Sequence, residues 1–131
     1  MNYNKISKDG YKPFIDQLHF SEKNIDPKIL CLIYLRISQI NDCQYCIDTH
    51  YKESCKYHDP EKINLIYLFR ESNLFSQKEI TILAFAEDIT MLQNNKNIND
   101  LKEFYTDKEI VDIVYAISNM NALNRIAITF K

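Results

Sequence analysis

Cys43, Cys46 and His50 have the types and the spacing to do chemistry together. Two cysteines three apart can close a disulfide. A histidine four residues after the second shares its helix face, because residues i and i+4 are neighbours about one turn apart. A thiol beside an imidazole can lose its proton at neutral pH, and a second thiol within reach completes a redox dithiol. The stretch Asn41-Asp42-Cys43-Gln44-Tyr45-Cys46-Ile47-Asp48-Thr49-His50 therefore reads as the centre of a small thiol enzyme. The competing chemistry is zinc binding by Cys43, Cys46 and His50, with Cys55 or His58 as fourth ligand. Against it, there is no second CxxC, and Cys55 and His58 fall well further along the same helix. No metal and no bound cofactor is called for.

These side chains need a frame. With Asp42 as cap, Cys43 sits in the first turn of a helix over about 42–57, where unpaired N–H groups and the helix dipole favour a thiolate. Cys46 then lies one turn deeper and less exposed. The helix before it starts at Asp26-Pro27, where Asp can cap and Pro fits the first helical position, and runs to about Ile40. In a tight helical hairpin, positions equidistant from the turn face each other, which sets Cys31 against His50. A carboxylate there would orient the imidazole and stabilise its charged form; a cysteine does so poorly. Tyr34, a turn along, could hydrogen-bond, and Glu53 could serve as a substitute carboxylate. Cys31, Tyr34 and Glu53 are thus the candidate relay residues.

The remaining elements are helices. Residues 1–10 read as a flexible arm, and 11–131 as one helical domain. A short helix fits Pro13 to Phe20. Ile29, Ile33, Ile37 and Ile40 form an apolar stripe that Leu32 and Leu35 widen, so that helix is buried, partly by a second subunit. Asp59-Pro60 opens a helix to about 71. Ser76-Gln77-Lys78-Glu79 and Thr106-Asp107-Lys108-Glu109 are capping boxes. The first opens a helix to about Leu92 with Ile80, Leu83 and Ala84 on one side. The second opens a long helix to about Phe130, with Ile110, Ile113, Val114, Ile117 and Met120 as its stripe. A polar loop over 94–97 and a short helix near 98–105 lie between them.

Composition narrows the function classes. One glycine and three prolines among 131 residues are too few for the tight turns of a sandwich or barrel. A net charge of −2 leaves no basic excess for bulk nucleic-acid binding. The apolar run Ile29 to Leu35 is too short to span a bilayer. The polar start lacks an apolar signal core, which points to the cytoplasm. There, four cysteines are more often reactive or metal-binding than structural.

The segment Leu35-Arg36-Ile37-Ser38-Gln39-Ile40 followed by Asn41 to His50 resembles the signature of the AhpD-like alkylhydroperoxidases, within the carboxymuconolactone decarboxylase superfamily. Arg70-Glu71-Ser72 with Leu74-Phe75-Ser76, Leu83-Ala84-Phe85-Ala86-Glu87 and Asn121-Ala122-Leu123-Asn124-Arg125-Ile126-Ala127 are similar to later segments of that family. The resemblance covers roughly 26–130. It implies an all-α bundle of about six to seven helices, a homo-oligomer (dimer, trimer or hexamer), and a peroxidase or disulfide-reductase activity. It further implies Cys46 as the cysteine that attacks a hydroperoxide, Cys43 as the resolving cysteine and His50 as the relay base. A thioredoxin-like or lipoyl-type reductant would restore the dithiol. The family's relay glutamate falls on Cys31 here, and Asp42 stands where a small glycine is common. Those departures motivate a second expectation, a weakened redox-sensing or binding module of the same fold. Superfamily membership alone suggests a third, decarboxylase-like chemistry on a small lactone or acid.

Overall fold

The computed structural model describes residues 1–94 and 98–131. Among these there are eight α-helices, one short 3-10 turn and no strand. The helices are α1 (Tyr3–Ile6), α2 (Lys8–Asn24), α3 (Pro27–Ile40), α4 (Gln44–Ser54), α5 (Pro60–Asn64), α6 (Gln77–Thr90), α7 (Ile98–Leu101) and α8 (Asp107–Thr129). The all-α reading holds. The polar loop foreseen over 94–97 lies almost wholly outside the described residues.

Helix α3 is the axle. It packs against α4, α6 and α8, while α2 lies along α8. Leu32, Ile33, Leu35 and Ile37 are sealed from solvent. A stripe that wide leaves no solvated face, which is why so many neighbours surround it. Asp26 starts the helix as foreseen, its carboxylate accepting from the Lys28 N–H at 2.9 Å, with Pro27 in the first turn. Both capping boxes form, at Ser76/Glu79 and Thr106/Glu109. In α8 the stripe of Ile110, Ile113, Ile117 and Met120 is buried.

Three expectations give way. Helix begins at Tyr3 and resumes at Lys8, within the stretch read as a loose arm, and α2 extends on to Asn24. Pro13 lies inside α2 rather than at its start. In the second turn it removes a single backbone bond, which packing on α8 outweighs. The helix foreseen over 60–71 ends at Asn64 and tightens into a 3-10 turn, Ile66–Leu68. Ile63, Ile66 and Phe69 are all buried, and three-residue spacing aligns side chains in a 3-10 helix rather than an α-helix. Finally, α6 buries Ile82, Phe85 and Ala86 beside Leu83, leaving Ile80 and Ala84 half-buried. It is covered from two sides, by α3 and α8.

Candidate active site

The turn between α3 and α4 decides where the cysteines sit. Asp42 has φ 53°, in the left-handed region. Its N–H bonds to Gln39 O at 3.1 Å, and the Cys43 N–H to Ser38 O at 3.1 Å. This pair of bonds is the Schellman arrangement that ends a helix on a left-handed residue, usually glycine. Asp42 therefore terminates α3 and does not cap α4. Cys43 is itself the N-cap residue of α4, its carbonyl accepting from the Ile47 N–H at 2.8 Å.

The two cysteines are bonded to each other, with Cα atoms 5.2 Å apart, well inside the disulfide range. The sequence placed Cys46 deeper than Cys43. In fact both are buried, Cys43 at 3% exposed and Cys46 at 8%. The N-cap residue is tucked against the end of α3, whereas Gln44 and Tyr45 after it face outward. Tyr45, between them, is 77% exposed.

His50 is one turn beyond Cys46 and half-buried. It lines a cavity of about 550 Å³ together with Cys31, Tyr34, Glu22, Glu53 and Tyr57. The hairpin symmetry thus brings Cys31 and His50 to one cavity. The tie at this level is Ser54, which the sequence did not flag. Its hydroxyl is buried and is placed to donate to His50 O at 2.7 Å and Cys31 O at 3.3 Å, bridging the two helices. The Tyr34 ring leans on the imidazole, with centroids 5.2 Å apart.

No hydrogen bond to a His50 ring nitrogen exists among the described residues, so nothing holds the ring in its charged form. Burial pushes the imidazole down to about 4, and the charge of Glu53 opposes this only in part. Glu53 pairs instead with Lys56 at 2.8 Å. Burial likewise pushes the Cys31 thiol up to about 11, and its sulfur rests on Lys28 O at 3.4 Å. Tyr34 is also raised by burial. At neutral pH the cavity therefore holds a neutral imidazole, a neutral thiol and a neutral phenol, a set that can accept a proton but cannot store a charge cheaply.

Beneath the turn lies a second, denser set of polar groups. The Asn41 side chain donates to Asn121 Oδ1 at 2.9 Å and Asn124 Oδ1 at 3.1 Å. Asn121 donates on to Thr90, and Asn124 to Ser38. Asn124 is fully buried and anchors the turn that carries the dithiol. A second cavity, of about 280 Å³, opens on the other side of the turn, lined by Tyr3, Asp42, Cys43, Tyr45, Ile128 and Lys131. Cys55 is a half-buried free thiol. His58 bonds through Nε2 to Lys28 O at 2.8 Å. No cluster of three or more potential metal ligands exists among the described residues.

The sequence pattern of the carboxymuconolactone decarboxylase family matches residues 10–88. The chain belongs to that family. Its fold and dithiol are AhpD-like. A protein of unknown function from Agrobacterium tumefaciens, ATU0492, proposed to be the antioxidant defence protein AhpD, has a crystal structure that superposes with a TM-score of 0.91. The two share 31% identity over 99% of this chain and 93% of that one. The uncharacterised protein YdfG of Bacillus subtilis (strain 168) is 29% identical over 98% of this chain and 91% of its own length. The debrominase Bmp8 shares the fold, with a TM-score of 0.80 at 19% identity over 92% of this chain and 68% of that one. No described helix is long and apolar enough to cross a membrane.

Proposed function

We propose that this member of the family is a thiol-dependent peroxidase that reduces organic hydroperoxides through the Cys43–Cys46 pair. The observation that supports it best is a closed CxxC disulfide heading a helix whose next turn carries His50 into a cavity. In the reduced protein, neutral His50 takes the proton of Cys46. The thiolate attacks the terminal oxygen of ROOH, the O–O bond breaks, and the leaving alkoxide takes a proton to give ROH. Cys46 is left as a sulfenic acid. The Cys43 thiol then attacks that sulfur, expelling water and forming the disulfide. A thioredoxin-like or lipoyl-type dithiol returns two electrons by attack on Cys43, for which the second cavity is the approach. No bound cofactor enters the cycle.

Cys31, Tyr34 and Glu53 tune His50 in this scheme and do not touch the reacting oxygen. The protein works as a homo-oligomer in the cytoplasm. Val111 and Tyr115, apolar and exposed along α8, support the first point, and the free thiols of Cys31 and Cys55 the second.

The test is a single turnover of pre-reduced protein with cumene hydroperoxide, with thiols trapped and mapped by mass spectrometry. Cys43 and Cys46 should disappear as a pair. Cys43→Ser should accumulate sulfenic acid on Cys46, and Cys46→Ser should lose ~100-fold or more in rate, as expected for removal of a nucleophile. Unchanged peroxide consumption in Cys46→Ser would end this reading. A weakened module with the same dithiol remains the second reading. It is favoured by one observation, that no carboxylate among the described residues hydrogen-bonds to His50.

A further inference from the structure

We infer that the cavity beside His50 sorts its occupants by charge, accepting an uncharged or cationic organic body and rejecting one that carries a carboxylate. The inference takes as the substrate site the cavity that His50 lines, although neither Cys43 nor Cys46 is on its wall. Its wall is apolar where Leu18, Pro27 and Leu30 line it, and aromatic at Tyr34 and Tyr57. About 550 Å³ suits a body the size of a substituted benzene or a short alkyl chain. No lysine or arginine lines it. The formal charges on its wall are the carboxylates of Glu22, from α2, and Glu53, from α4.

The two carboxylates differ. Glu53 shares its charge with Lys56 in an exposed pair, which offsets it. Glu22, exposed at the mouth of the cavity, makes no ion pair and no hydrogen bond among the described residues, so water alone screens its charge. That charge is felt at the Tyr34 hydroxyl, and that of Glu53 at His50 and Cys31. His50, Cys31 and Tyr34 on the same wall are neutral at pH 7 and supply no counter-charge. An incoming carboxylate would give up its hydration to meet Glu22 with no cation to receive it. An ammonium would meet Glu22 and two aromatic rings, both favourable to a cation.

Three probes of nearly equal bulk separate these cases: 2-phenylethylamine, 2-phenylethanol and phenylacetate. Each is titrated at pH 7 into the disulfide form of the whole chain, following the NMR signals of the His50 ring and the Cys31 amide. The amine should bind ~10-fold more tightly than phenylacetate at low ionic strength. The ratio should shrink several-fold at ~0.5 M salt, because the charges at the rim are screened. Glu22→Gln should narrow it by ~3-fold while leaving the affinity of 2-phenylethanol in place, an outcome that a merely structural role of Glu22 would not give. Equal affinities, tighter binding of phenylacetate, or no response at His50 to any probe would overturn the inference. No peroxide is present, so loss of the peroxidase reading leaves this result standing. A reversed order in a protein that still turns over cumene hydroperoxide would sink the charge selection alone.

Discussion

The two ends of α3 are built on opposite principles. Its C-terminal end sits in a dense polar network, in which the buried Arg36 Nε alone lacks a hydrogen bond among the described residues. Asn41 meets Asn121 and Asn124, and Ser38 bonds to Tyr34 O at 2.8 Å. Nearby, the buried Glu87 carboxylate receives Arg70 through both oxygens, at 3.1 and 3.3 Å, with Arg36 at 3.5 Å. Toward its N-terminal end, Cys31 and Tyr34 face a cavity and a histidine with no ring hydrogen bond. The first region fixes the turn that holds the dithiol. The second leaves the imidazole loosely supported. Precision is spent on where the sulfurs are, and little on the basicity of the group beside them.

Breaking the networked end should cost most. Glu87→Ala removes the carboxylate beside the Arg36 guanidinium, whose side chain is only 17% exposed and would keep only Gln39 Oε1, at 3.1 Å, and removal of one partner of a buried pair costs ~3 kcal/mol or more. Urea unfolding should show the loss as a lower midpoint. A change within ~0.5 kcal/mol would mean that the network is ornamental to stability.

The open end should show itself through pH. His50 is held down to about 4 in the folded protein, against an ordinary 6.5. Between those values the unfolded chain binds more protons, so stability is complete above about 6.5 and falls as pH drops toward 4. The expected loss is ~2 kcal/mol. Comparing unfolding of the wild type and His50→Gln at pH 7 and pH 4.5 isolates it, since the variant should lack that component. Parallel losses in both proteins would show that the imidazole is not the group responsible.

Giving the open end the partner it lacks sharpens the contrast. Cys31→Glu should raise the imidazole toward its usual range and speed peroxide reduction by ~10-fold, equivalent to ~1.4 kcal/mol. Burying a carboxylate there also lowers stability, so the rate is read at a temperature where circular dichroism shows the variant folded. No gain in a folded variant would leave His50 without a relay role. The smallest effect belongs to the turn itself. Asp42→Gly relieves a left-handed residue and should stabilise by ~0.5 kcal/mol, the strain relieved less the extra freedom of glycine in the unfolded chain. Thermal melting would resolve it, and a lower midpoint would contradict it.

Much of this was legible in the residues. The Asp26-Pro27 start, both capping boxes and the stripe of α8 are local signals, and each forms. The shared cavity of Cys31 and His50 followed from counting outward from a tight turn. What escaped was tertiary or conformational. Asp42 looks like a cap in sequence, and only its backbone angle shows it ending the previous helix. Ser54 is an unremarkable serine until the facing carbonyl of Cys31 is seen. Glu22 comes from α2, and no spacing rule links it to a cavity built mainly on α3 and α4. The extent of α2 was missed because Pro13 reads as a start, while packing on α8 holds a helix on both sides of it.

The α3–α4 hairpin has a practical consequence. The sulfurs stand on the turn and the second helix, whereas the position opposite the imidazole belongs to the first helix. In the proposed cycle, the strength of the base and the placement of the redox pair are therefore written in separate stretches of sequence. An engineer could adjust the speed of the first by substitution at one site and keep the electron-carrying pair untouched, as one retunes an instrument without rebuilding its body.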